Sequence, residues 1–440
     1  SFNATFVDDG MKERLFFEAD RELYVTDGTT AGTALVKNIN ASGGGNPSGF
    51  EVAFNGAANW KLFFSADDGV NGREFWVTRA GMASGTYVTS LVKDTDAGAS
   101  PNNGNPTQIT AGSGTNSGFV YFNANNSSGN PVLWASNLAA ATLAGGTNQV
   151  TSGNGVASPT QLTAGSATLY LVSGATQIRR INVASGAIIN VASPVGSIAD
   201  LVTLEDKLFF TEKTGMDTKL FYYSGAGVPS ELTDNGTGNS FLNTTNHVVV
   251  GSRLYFTVPA DNKLWKFDTS MAAGAGNPVF VANLSALSAD PANPSGGTPV
   301  TVDLFPSQFI AAGDSLYLVD RFGQLFLLNE SGVAKFVEVH QDGSDAGAVV
   351  VGDDYFQTLP NVLANPSTLV AFNDALFFSA ASPALDGELW VSRSDSDWAA
   401  TPAGKRTAKF NTFEENAIPA LTVSILAAEG DGVVTLADRS

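Results

Sequence analysis

One phrase returns eight times along the chain: a short apolar-aromatic strand, a polar gap and a second strand that usually carries an aromatic residue. The first strand reads Leu15-Phe16-Phe17, Leu62-Phe63-Phe64, Val120-Tyr121-Phe122, Leu169-Tyr170-Leu171, Leu208-Phe209-Phe210, Leu254-Tyr255-Phe256, Leu316-Tyr317-Leu318 and Leu376-Phe377-Phe378. Its partner reads Glu22-Leu23-Tyr24, Glu74-Phe75-Trp76, Val132-Leu133-Trp134, Lys219-Leu220-Phe221, Lys263-Leu264-Trp265, Gln324-Leu325-Phe326 and Glu388-Leu389-Trp390, with Gln177-Ile178-Arg179 in the fourth unit. A period of about 40–60 residues holding several strands marks a propeller or a related β array. Such a repeat constrains the scaffold tightly and the ligand hardly at all.

Residues 47–96 show a whole unit. Phe50 to Phe54 alternates as a half-buried strand does. Asn55-Gly56 is a hairpin signal because both residues tolerate positive φ. Lys61 to Ala66, Arg73 to Thr78 and Thr89 to Asp94 complete four antiparallel strands, the make-up of a propeller blade. Inner strands open on a proline followed by Ser or Thr (Pro47, Pro106, Pro159, Pro306, Pro366), which suits a residue that cannot donate to the ladder. The expected architecture is all-β: a single β-propeller domain over residues 1–440, with units starting near 4, 50, 107, 160, 198, 246, 307 and 367. Eight four-stranded blades are expected, and the short fourth unit leaves seven or nine open. Residues 421–440, with Leu421 to Leu426 and Val433 to Leu436, are expected to close the ring as a C-terminal latch on the first blade, protecting edges that invite aggregation.

Several function classes fall away on composition. A net charge of −19 disfavours nucleic acid and anionic membrane surfaces. The absence of cysteine removes disulfides, thiolate metal sites and a cysteine nucleophile. No stretch of about 18 apolar residues offers a membrane span. Only 15% of residues are charged, so solubility rests on Asn, Ser, Thr and Gly. That balance, with a start at Ser1, is read as an exported bacterial surface or extracellular protein whose leader was removed or which was cut from something larger.

The stretch Asp27-Gly28-Thr29-Thr30-Ala31-Gly32-Thr33 after Glu22-Leu23-Tyr24-Val25-Thr26 resembles the bacterial ELWxxDGTxxGT repeat. Leu35-Val36-Lys37-Asn38-Ile39 and Asn46-Pro47-Ser48 fit the same pattern. The second unit keeps Glu74-Phe75-Trp76 and Leu91-Val92-Lys93-Asp94, the eighth keeps Glu388-Leu389-Trp390 and Asn365-Pro366-Ser367, and units three to seven diverge. The resemblance implies a propeller-like domain of exported, surface-associated proteins, and it brings no catalytic residues.

Trp76, Trp134, Trp265 and Trp390 recur at one phase, which favours packing between blade faces over a sugar-stacking set. Only two histidines occur, His247 and His340, and His247 is read as a core or strand-end residue. No nucleophile elbow, phosphate loop or dinucleotide fingerprint lies in a strand-to-helix setting. Acidic residues gather on Gly-bearing loops, where calcium needs oxygen ligands on a chain able to fold round it and where Asp also simply makes turns. Asp94, Asp96, Asp342 and Asp345 are the calcium candidates, although Asp94-x-Asp96 lacks the Glu and the helices of an EF-hand. Long connections at 284–304 and 338–362 interrupt the repeat. The second carries the ligand-site candidates His340, Asp342, Asp345, Asp353, Asp354 and Tyr355.

Three functions remain open. The leading expectation is a non-catalytic surface scaffold whose partners are other surface proteins or glycans. A polysaccharide hydrolase or lyase with carboxylates on the propeller axis is the second. The third is a structural subunit of an extracellular filament or layer, formed by self-assembly through sheet edges.

Overall fold

The computed structural model describes most of residues 4–290 and, beyond them, strands at 300–302, 306–312, 315–320, 325–328, 334–336, 369–372, 375–382, 385–393, 413–414, 422–427 and 433–437. Described residues form eight sheets, six of four strands and two of six, each holding a four-stranded antiparallel blade; only Leu287–Asp290, beside Ala334–Phe336 in the seventh, pairs in parallel. Their first strands begin at Ala4, Ser48, Thr107, Pro159, Ser197, Thr245, Pro306 and Leu369, within two residues of the expected unit starts. Each meander is a propeller blade. The single described α-helix, Leu143–Gly146, is one turn long.

The chain divides into two compact units, Ser1–Leu232 with the first five sheets and Thr233–Ser440 with the last three. In the first unit the innermost strands Ala4–Asp8, Ser48–Phe54, Thr107–Ala111, Pro159–Ala164 and Ser197–Leu204 are successive neighbours. In the second unit Thr245–Val250 lies beside Pro306–Ala312, which lies beside Leu369–Phe372.

Alternation along each strand sends aromatic and aliphatic residues into the wedge on either side of its sheet. Phe16, Leu62, Phe64 and Trp76 fill the layer between the first and second sheets. Phe63, Phe75, Phe122 and Trp134 fill the next, where the Phe75 and Phe122 rings stack with centroids 3.9 Å apart. Trp76 and Trp134 are each only 7% exposed, and Trp265 sits edge-on to Phe241 and Phe280. These three tryptophans are packing residues; the Trp390 side chain lies outside the described set. Each buried aromatic contributes about 1.5–3 kcal/mol.

Two bulges recur in the blades. Inner strands shift register just after their start, as at Ser48/Glu51, Thr160/Thr163 and Thr245/Val248. The extra residue is left-handed in several sheets: Gly49 (φ 67°), Gln108 (φ 51°), Gln161 (φ 52°) and Asn246 (φ 56°). Outer strands bulge at Val36, Val92, Val191 and Val281, each opposite the tryptophan position of the third strand. The Leu-Val-Lys phrase of the first two units is thus the mark of a bulge, which twists an edge strand away from ready pairing.

Two expectations change. Part of the 284–304 connection is a hairpin, Leu287–Asp290 with Val300–Val302, added to the outer edge of the seventh sheet. The C-terminal strands pair within the eighth sheet, with Val433 and Val434 beside Ser392 and Val391. The first sheet already has four strands of its own, whereas the eighth takes its outer strand from Val433–Ala437.

Candidate functional site

The signature carboxylates have a structural task. Glu22, at the start of the first sheet's third strand, accepts N–H groups from Ile39 (2.7 Å), Asn40 (3.1 Å) and Gly45 (2.9 Å). All three belong to the connection to the second sheet. Glu74, fully buried, repeats this one blade on: Thr95 N (2.8 Å), Thr95 Oγ1 (2.9 Å) and Gly104 N (2.6 Å) donate to it. Burial pushes the Glu74 carboxyl above its usual range, against the pull of the Thr95 and Gly104 N–H groups, and the charge of Asp94 adds to the rise. The connection then turns through a left-handed Asn46 or Asn105, whose N–H donates to the carbonyl of Arg21 or Arg73. In the third sheet Val132 replaces the acid, Ala157 replaces the glycine, and the equivalent backbone bond from Ser158 N to Pro131 O persists at 3.0 Å. Glu and Gly are lost together, and that covariation between units is the signal by which the sequence could have revealed the clamp.

A second set of polar groups joins the inner strands of the first unit. The half-buried Glu51 accepts from Ala111 N of the next sheet at 2.8 Å. Gln108 accepts from Leu162 N at 3.1 Å, and Gln161 donates through Nε2 to Ile198 O at 3.2 Å. The hydroxyls of Thr163 and Thr203 meet at 3.2 Å. Gln108 and Gln161 are the left-handed bulge residues, so backbone strain of order 1 kcal/mol each accompanies these bonds. Burial pushes the Glu51 carboxyl up, against the Ala111 N–H that pulls it down. The result is an inner face of amides and hydroxyls with the Glu51 and Asp200 carboxylates on its strands, suited to hydrogen bonding with a polar ligand. Sequence reading passed over Glu51, Gln108 and Gln161, because Pro-Ser or Pro-Thr announces the strand but not the bulge behind it.

His340, Asp342, Asp345, Asp353, Asp354 and Tyr355 lie outside the described residues. Asp94 and Asp96 are described, on the connection after Tyr87–Lys93. Burial first, then the charges of Asp96 and Asp68, push Asp94 up, with Lys93 opposing. Asp68 itself closes a turn, accepting from Val70 N (2.9 Å), Asn71 N (2.7 Å) and Asn71 Nδ2 (2.8 Å). Among the described residues no group of three or more His, Asp or Glu side chains is placed to hold a metal ion. His247 Nε2 lies 3.0 Å from Thr244 Oγ1 at the start of an inner strand, as a strand-end histidine should.

No family model matches the chain. No curated protein matches it either. Solved structures are similar at low identity. The computationally designed Ika8 protein is 10% identical, over 90% of this chain and 96% of its own, with a TM-score of 0.46. The β-propeller domain of the Trilobed protease from Pyrococcus furiosus is 11% identical, over 78% of this chain and 94% of its own, at 0.40. BamB from Moraxella catarrhalis is 12% identical, over 77% and 84%, at 0.37. Likeness of this degree says nothing about ligand or activity.

Proposed function

We propose that this chain is a non-catalytic binding scaffold of propeller blades, exported to the bacterial surface or extracellular space, where it holds protein or glycan partners. One observation carries the reading. Glu22 and Glu74 are committed to blade connections, Glu51 is engaged by Ala111 N, and the inner strands of the first unit present Gln108, Gln161, Thr163 and Thr203. Amides and hydroxyls in fixed positions recognise hydroxyl-rich or peptide groups without activating a nucleophile. The acidic charge of −19 keeps nucleic acid out of the partner list. No helix among the described residues is long and apolar enough to cross a membrane. Calcium at Asp94 and Asp96 belongs to the same proposal as an accessory ion. Glu51 favours the hydrolase or lyase reading, since a half-buried carboxyl held above its usual range on an inner strand suits a general acid.

The test is label-free binding of the whole chain to a glycan array and to envelope proteins, alongside the Gln108→Ala variant. Binding that weakens about tenfold in the variant, as loss of one to two hydrogen bonds to a ligand would produce, supports the reading. Silence on every surface, together with turnover of a polysaccharide that Glu51→Gln abolishes, would replace it with the enzyme.

A further inference from the structure

The fourth sheet departs from the repeat at one spot. At the tryptophan position, where Tyr24, Trp76, Trp134, Phe221 and Trp265 stand in other sheets, it carries Arg179. Arg179 is 9% exposed, and its strand neighbour Ile181 packs in the layer between the third and fourth sheets, so the guanidinium is on the same side. Its protein acceptor is Gln177 Oε1, 2.8 Å from Nη2, and its Nε is enclosed with no acceptor at all. Among the described residues no carboxylate pairs with it. A guanidinium cannot shed its proton, so burial without a counter-charge is costly.

Its surroundings are polar. Opposite the tryptophan position the first, second and sixth sheets place Leu35, Leu91 and Phe280, and the third and fifth place Gln149 and Glu231. The fourth places Asn190 opposite Arg179. Directly paired residues share a face with Cβ atoms about 4.5–5.5 Å apart, and Gln177, two residues before Arg179, shares it too. Gln177, Arg179 and Asn190 therefore form a patch rich in N–H donors and free of acid, in which Gln177 holds the guanidinium in one orientation. Asn190 is exposed, so the patch opens at the sheet's outer edge.

We propose that this patch is an anion-binding site between the third and fourth sheets, taking a small carboxylate or comparable oxyanion: Arg179 supplies the charge, Asn190 a flanking donor and Gln177 the orientation. A free small molecule and a partner's acidic group present the same carboxylate chemistry, and free acetate probes it.

Thermal unfolding of the full chain, with sodium acetate replacing another sodium salt of a bulky anion at constant ionic strength, tests the idea. A saturable rise in Tm of about 2 °C per tenfold increase in acetate above its Kd is expected. Arg179→Trp, the residue of the second, third and sixth sheets, should fold and lose the response. Asn190→Leu should keep Arg179 and weaken the response several-fold. Broadening of the fluorine signal of fluoroacetate reads binding directly and does not depend on either variant's stability. No saturable rise, no broadening, or an equal response in Arg179→Trp would overturn the site. Success with acetate and failure of acidic glycans or peptides to compete would assign it to free small anions.

Discussion

Replacing Glu74 by valine is the sharpest test of how successive blades are joined. The carboxylate receives two backbone N–H groups and one hydroxyl, at 2.6–2.9 Å, and is fully buried. Hydrogen bonds to a charged group are worth about 1.5–3 kcal/mol each, and each buried donor left unmade costs about 1–3 kcal/mol. Against this stands the desolvation that already holds the Glu74 carboxyl above its ordinary value. Removing one side of such a buried charged cluster costs about 3–5 kcal/mol, which is the expected loss for Glu74→Val. At about 2–4 °C per kcal/mol, Tm should fall by about 6–20 °C. The variant should still fold, because the third sheet has Val132 at this position and keeps its connection through the backbone bond at Ser158.

Urea unfolding followed by tryptophan fluorescence gives the free-energy difference. Adding Gly104→Ala completes the comparison, since the third sheet pairs Val132 with Ala157. A Cβ on Gly104 would lie 2.4 Å from Glu74 Oε2, so the double variant should lose less than the sum of the single ones. A loss below about 1 kcal/mol in Glu74→Val, or strict additivity in the double variant, would refute the clamp.

Two further outcomes follow from the same geometry. Gly104→Ala alone should cost about 3 kcal/mol or more, since its Cβ would also lie 1.9 Å from Thr95 Oγ1, whereas Gly129→Ala, at φ 71° with nothing within 4 Å, should cost only about 1 kcal/mol; urea midpoints of the pair would show it. Glu51→Gln should flatten part of the pH dependence of stability. The folded carboxyl is raised above its ordinary 4.5, so it binds its proton more tightly than the unfolded one. Its stabilising contribution is therefore full below about pH 4.5 and declines as pH rises through the folded value. The variant, which can still accept from Ala111 N, should gain on the wild type between pH 4 and 7; parallel stability curves would count against the assignment.

The all-β class and the four-stranded make-up of a unit were legible because each rests on local chemistry repeated at one phase. Alternating aromatics encode two faces, Asn-Gly and Asp-Gly encode turns, and proline encodes a strand's first residue. The clamp was half legible. Glu22 and Gly45 stand 23 residues apart, and nothing local says that one holds the other. The inner-strand bulges were hidden because Gln108 and Gln161 are not residues that advertise a left-handed backbone. Asp94 and Asp96 read as ion ligands on composition, yet Asp68 beside them is occupied by its own turn.

What a repeat keeps and what it loses carry different information. Positions that recur, such as Glu22 with Glu74, Phe16 with Phe63 and Val36 with Val92, prove to be joints, wedges and bulges, which a blade uses whatever it binds. Recognition needs asymmetry, because identical blades offer a ligand identical faces. The fourth unit, whose degeneracy obscured the blade count, breaks the pattern at Arg179, which has Gln177 and Asn190 beside it. Drift in a packing wedge would be expected to keep it apolar, since an unpaired buried charge is among the costliest substitutions a core can receive. A wedge that instead acquires a charge, an orienting amide and a second amide across the strand has traded packing for binding, which is why the least regular blade is the first place to look for a ligand.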